Sequence, residues 1–114
     1  MSMHCETAFL HDTRNWMVVS HDQMVRPFKG SNLFRSIFEV LVDKYPNIHR
    51  RDVTKISRAV AIQVCSSLER TAIERSNSTF STDLIGDYVA ECLFNESRYL
   101  AAKAFILRHF CEKQ

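Results

Sequence analysis

Histidine and cysteine are the side chains best suited to chemistry near neutral pH, and the chain carries five of the first and four of the second. His4, Cys5 and His11 stand close together near the start and offer nitrogen and sulfur donors of the kind zinc prefers. A structural zinc site needs four such ligands at defined spacing, and no fourth follows, so a plain polar arm is the simpler reading. Cys5, Cys65, Cys92 and Cys111 are widely spaced, with no CxxC pair. Cys65 and Cys92 fall inside apolar helical patterns, where a free thiol behaves as a small core hydrophobe. No Ser-His-Asp or Cys-His arrangement emerges from spacing, and Asp83 and Asp87 read as solvated carboxylates on a helix surface. Neither of the familiar glycine-rich phosphate loops, GxxxxGK(S/T) or GxGxxG, occurs. These absences point away from an enzyme.

One basic cluster remains. His49-Arg50-Arg51 is continued by Lys55 and Arg58 at helical spacing. Cations at a helix start oppose the macrodipole at a small cost, and with Asp52 as the cap the cluster reads as a solvated face. The other reading is phosphate contact, including that of a nucleic acid, with the helix N-terminus assisting. Nucleic acid is the less expected partner, because 15 basic and 13 acidic residues leave a net charge of only +2. Residues 1–58 carry 9 basic and 6 acidic residues (+3), and residues 59–114 carry 6 and 7 (−1).

The elements that must position these residues follow from composition and period. A chain of 114 residues has room for a single core. A hydrophobic share of 46% with 25% charged residues is ordinary for a globular domain. Two Gly and two Pro disfavour a turn-rich β-sandwich and favour helices. No apolar run approaches the roughly 18 residues of a membrane helix, and the start lacks the order of a signal peptide. With Cys65 and Cys92 reading as reduced core thiols, the expected setting is cytoplasmic, without membrane contact.

Residues 1–15 read as a flexible N-terminal arm and 16–112 as the folded domain. Trp16–Ser20 and Met24–Phe28 are short β-type runs around His21-Asp22-Gln23, which predicts a hairpin. A lone hairpin is marginal, so it must lie on something else. Ser31 or Asn32 can cap a first helix, with Leu33, Ile37 and Leu41 at helical spacing, ending before Pro46. A second helix opens near Asp52, with Val53, Ile56, Val60, Val64 and Leu68 inward, and fades at Ser76-Asn77-Ser78. Ser81 or Thr82 caps a third, burying Leu84, Ile85, Val89, Cys92 and Leu93. Asn95 caps a fourth, with Tyr99, Leu100, Ala104, Ile106, Leu107 and Phe110 inward. The fold class expected is mainly α: a small N-terminal β-hairpin packed on a four-helix bundle.

In their order, these segments resemble the ATP-cone, the small regulatory nucleotide-binding domain of ribonucleotide reductases and of the bacterial repressor of their genes. The resemblance covers roughly residues 17–110. The family's hairpin has the form V-x-K-R-D/N-G, followed by P-F. Val18-Val19-Ser20-His21-Asp22-Gln23 and Arg26-Pro27-Phe28 stand in that frame. Leu33 matches the apolar residue after the helix-one lysine, and Ser81-Thr82-Asp83-Leu84-Ile85 matches the capping hydroxyl and the helix that follows. Ala102-Lys103-Ala104-Phe105-Ile106-Leu107 is similar to the last helix, A-R/K-x-Y/F-I-x-Y-R.

The resemblance implies an allosteric site for ATP or dATP, with magnesium, and no catalysis. It implies that Val18 and Leu33 contact the nucleoside, Thr82 and Ile85 line the site from helix three, and Leu107 closes it from helix four. Ser20 and His21 stand where the family has its phosphate-handling Lys-Arg pair, Asn32 replaces the helix-one lysine, and Arg108-His109 replaces the terminal Tyr-Arg. Arg26 and Lys29 are the nearby cations that would take over, with Arg35 and Arg108 also at hand. Gln23 replaces the turn glycine, so a different or longer turn is expected. The partners implied are a ribonucleotide reductase, another regulatory protein, or a second copy of the chain. The alternative is a degenerate cone without nucleotide, working as a protein–protein interaction or oligomerisation module through its fourth helix and arm.

Overall fold

The computed structural model describes residues 15–113, with side chains described through residue 106. The expected arm, residues 1–15, lies outside this range except for Asn15. The predicted hairpin is present as strands β1 (Met17–Val19) and β2 (Val25–Pro27), antiparallel with Val18 opposite Arg26. Ser20 N donates to Met24 O at 3.0 Å and Gln23 N to Ser20 O at 2.9 Å, closing the turn. Gln23 sits at φ 68°, in the left-handed backbone that glycine favours. Asp22 braces that conformation by accepting from Ser20 Oγ and from Met24 N.

The chain adds a strand that periodicity does not reveal. β3 (Thr79–Ser81) pairs in parallel with β1, Met17 opposite Thr79, giving the order β2-β1-β3. Three residues are too few to establish a period of two, but Thr79 and Phe80 are strand-favouring types. Three aromatic rings tie the strands together: Trp16 lies 5.5 Å from Phe28 and 5.4 Å from Phe80, all three buried.

Four helices carry the sheet: α1 (Gly30–Lys44), α2 (Arg50–Arg75), α3 (Thr82–Asn95) and α4 (Tyr99–Lys113). The fold is mainly helical, as composition predicts. Ser81 caps α3 by accepting from Leu84 N, and α1 stops at Lys44, before Pro46. Three other boundaries differ from expectation. Helix α1 begins at Gly30 with Lys29 as an N-cap that makes no side-chain bond, so neither Ser31 nor Asn32 caps it. The reason lies upstream: Phe28 N donates to Trp16 O, so the ladder runs on past β2 and the chain turns directly into helix. Helix α2 begins at Arg50, where His49 Nδ1 accepts from Arg51 N, so His49 is the cap and Asp52 lies in the first turn. Asn95 closes α3 instead of opening α4. The break at Glu96–Arg98 contains Ser97 at φ 60°, and Leu100 N, in the first turn of α4, donates to Tyr45 Oη at 3.1 Å.

The core is centred on α2. Val60, Val64, Cys65 and Leu68 are fully buried against Ile37 and Leu41 of α1, Val89 and Leu93 of α3, and Phe80. Cys65 and Cys92 are buried and form no disulfide among the described residues, as expected of core thiols. Tyr88 Oη lies 2.6 Å from Thr71 Oγ1, which itself donates to Ser67 O, so the phenol is the donor in this α2–α3 link. The inward face expected for α4 is a register off. Ala101, Ala102 and Phe105 are buried, while Tyr99, Leu100 and Ile106 are exposed. Small residues let α4 lie close to its neighbours, and the large ones turn outward. Leu107 and Phe110 lie outside the residues whose side chains are described.

Candidate functional site

A cavity of about 410 Å³ opens between the hairpin, α1, α3 and Phe105 of α4. Its size falls in the range of about 300–1,000 Å³ typical of small-molecule sites. Two helices supply its walls by simple periodicity. Lys29, Asn32, Leu33 and Ser36 recur on one face at the start of α1, and Thr82, Ile85, Gly86 and Val89 recur at i, i+3, i+4 and i+7 on α3. Phe28, Leu33, Val89 and Phe105 are buried and make an apolar floor. Gly86 has no side chain and leaves room where α3 meets the space. Arg26, Lys29 and Asn32 are exposed and stand at the mouth.

The electrostatics are one-sided. Two full cations, Arg26 and Lys29, line the cavity, and among the described residues no Asp or Glu does. The N-terminus of α1 enters beside them without a side-chain cap and without an acidic residue in its first turn. Unsatisfied N–H groups and the helix dipole make such an end favourable for an anion. An apolar floor below a cationic rim suits a ligand with a flat or apolar body and an anionic tail.

Of the residues nominated from sequence, the structure brings Val18, Ser20, Arg26, Lys29, Leu33, Thr82 and Ile85 to this one cavity. It does not bring His21 to the lining. His21 Nε2 lies 2.7 Å from an Asp83 carboxylate oxygen, tying the hairpin turn to the first turn of α3. Leu107 lies outside the residues whose side chains are described. The Ser20 hydroxyl, although at the lining, is engaged in the turn with Asp22 and Met24 O. Thr82 Oγ1 is buried and has no hydrogen-bond partner among the described residues, a costly state for a hydroxyl. Sequence reasoning missed Met24, Ser36, Gly86, Val89 and Phe105 as lining residues. The i+4 spacing of Ser36 from Asn32 and of Gly86 from Thr82 is the signal that marks two of them.

Two groups titrate away from their ordinary values. The Ser20 hydroxyl and the Met24 N–H hold the Asp22 carboxyl below the usual carboxylate range. Burial, followed by nearby Glu91 and Glu96, pushes the Cys92 thiol up, so it stays protonated and unreactive near neutral pH. Among the described residues no three His, Cys, Asp or Glu stand together as a metal site, and His4, Cys5 and His11 lie outside them. Arg50, Arg51, Lys55 and Arg58 are all exposed on α2, and Lys55 and Arg58 flank a shallow depression with Ala59, Ile62 and Gln63. No described helix is long and apolar enough to cross a membrane. Comparison with protein-family models, curated proteins and solved structures finds no match for the chain.

Proposed function

We propose that the protein is a cytoplasmic regulatory domain of the ATP-cone kind, binding ATP or dATP in the cavity between the hairpin and α1 and α3 and thereby controlling the assembly of a partner. The observation that carries this reading is the convergence of Val18, Arg26, Lys29, Leu33, Thr82 and Ile85, separated by up to 67 positions (85 − 18), on one cavity. In this reading Val18, Leu33 and Ile85 sandwich the nucleoside against the apolar floor. Arg26, Lys29 and the open N-terminus of α1 take the phosphates, with magnesium neutralising what two cations leave. Each charge-assisted bond contributes about 1.5–3 kcal/mol, so two cations in place of the family's larger set support binding in a weaker range. In this reading occupancy, not turnover, is the output.

Calorimetric titration of the whole chain with ATP and dATP in magnesium tests this. Saturable binding that Lys29→Gln weakens about tenfold is the expected result. Absence of heat at high protein concentration would leave the cavity without a nucleotide role.

A second reading is favoured by a separate observation. Phe94, Tyr99, Leu100 and Ile106 are each between 48% and 57% exposed, and the Phe94 and Tyr99 rings meet at a tilt with centroids 5.2 Å apart. Such an apolar patch, running from the end of α3 onto α4, suits a second copy of the chain, which makes the protein an oligomerisation module even with an empty cavity.

A further inference from the structure

A shallow depression, of about 490 Å³, lies where the α1–α2 connection meets α2 and the start of α4. Asn47, Ile48 and His49 come from the connection, Asp52, Lys55 and Ile56 from α2, and Arg98 from the break before α4. It shares no lining residue with the first cavity. We propose that it is a phosphate site, taking inorganic phosphate or the terminal phosphate of a small phosphomonoester. This inference is independent of the nucleotide reading and stands or falls without it.

Arg98 is the central residue. Its guanidinium carbon lies 5.3 Å from the centroid of the Tyr45 ring, and the Tyr45 hydroxyl is in turn fixed by Leu100 N. The Arg98 Nε–H is buried with no hydrogen-bond partner among the described residues. That nitrogen is sealed from the surface, so an oxyanion here would be met by the terminal nitrogens of the guanidinium, which pair with it two bonds at a time. His49 adds a second donor of known sense. Its Nδ1 accepts from Arg51 N as the α2 cap, so the neutral ring carries its proton on Nε2. Lys55 adds a full charge one turn further along α2. Asp52 is the one carboxylate in the lining, and among the described residues it forms no ion pair with Lys55 or Arg98. Three donors face one uncommitted acid, and the fork of Arg98 gives a tetrahedral anion its orientation.

The test is an amide and arginine side-chain NMR titration of the whole chain with inorganic phosphate against chloride at matched ionic strength. Saturable shifts should cluster at residues 47–55 and at the Arg98 Nε–H, apart from any at Arg26 and Lys29. Lys55→Gln, an exposed change that leaves the core intact, should weaken the binding about tenfold, and Arg98→Gln should abolish it. Asp52→Asn should tighten it several-fold by removing the one repulsive charge. Glycerol 3-phosphate should reproduce the phosphate shifts. A short oligodeoxynucleotide without a terminal phosphate, which offers diesters only, should be far weaker. Absence of saturable shifts in this segment, or titrations unchanged by Lys55→Gln and Asp52→Asn, would overturn the proposal. Tighter binding of the oligonucleotide than of either phosphate would also overturn it, making the surface a nucleic-acid contact.

Discussion

Thr82 occupies an unusual position at the residue scale, because its hydroxyl is buried with no hydrogen-bond partner among the described residues. Replacing it with Val keeps the shape and removes the unsatisfied group. The ligand-free protein should gain about 1 kcal/mol, read as a higher denaturation midpoint. If the hydroxyl turns to a bound nucleotide, the same change should weaken ATP binding in calorimetry, and this opposition of signs separates a binding role from a packing role. Asp22 makes a second prediction. Its folded pKa is lowered by Ser20 and the Met24 N–H, so the stabilisation it gives the turn is present above the ordinary carboxylate value. It is lost as the pH falls from that value through the lowered one. Amide shifts of Gln23 and Met24 should follow this acid titration, and Asp22→Asn should remove it from the pH profile.

Among the elements, the joint between α1 and α4 depends on one phenol. Tyr45 Oη accepts from Leu100 N and so caps a helix more than fifty residues away. Tyr45→Phe keeps the ring under Arg98 and deletes only the cap. It should cost about 1 kcal/mol, seen as a melting temperature lower by a few degrees. Element identity was legible because the apolar periods of α1, α2 and α3 are strong, and Leu33, Ile37, Val60, Val64, Val89 and Leu93 are buried as their spacing requires. Boundaries were less legible, since caps at His49 and at the start of α4 use an imidazole and a remote hydroxyl instead of the usual Ser, Asp or Asn. The face of α4 was misread because Ala101 and Ala102 carry little hydrophobic signal, although their smallness is what permits close packing. Candidate lining residues read well where the sequence holds a shape, as at Val18, Leu33 and Thr82. They read poorly where a side chain has a competing partner, as His21 has in Asp83.

For the whole molecule, the outward stripe of Phe94, Tyr99, Leu100 and Ile106 predicts self-association. Light scattering should show a mass above that of one chain at high concentration, and Tyr99→Ser with Leu100→Ser should return it to the monomer. A mass that does not change with concentration or with these substitutions would dismiss the oligomer reading. A shift of mass on adding ATP would join the stripe to the cavity as output and input of one device.

The sheet order has a consequence for how the molecule comes together in time. β1 is the middle strand, and its parallel partner lies beyond both α1 and α2. The hydrogen bond from Met17 N to Ser78 O therefore closes a loop that runs through two helices, and that closure entropy is met only once the helices are formed. Helices assemble from near neighbours; the sheet joins chain segments that are far apart. The long-range joint in the sheet is thus the one between the hairpin and β3, and a guest held beneath the hairpin would be expected to slow the opening of that joint.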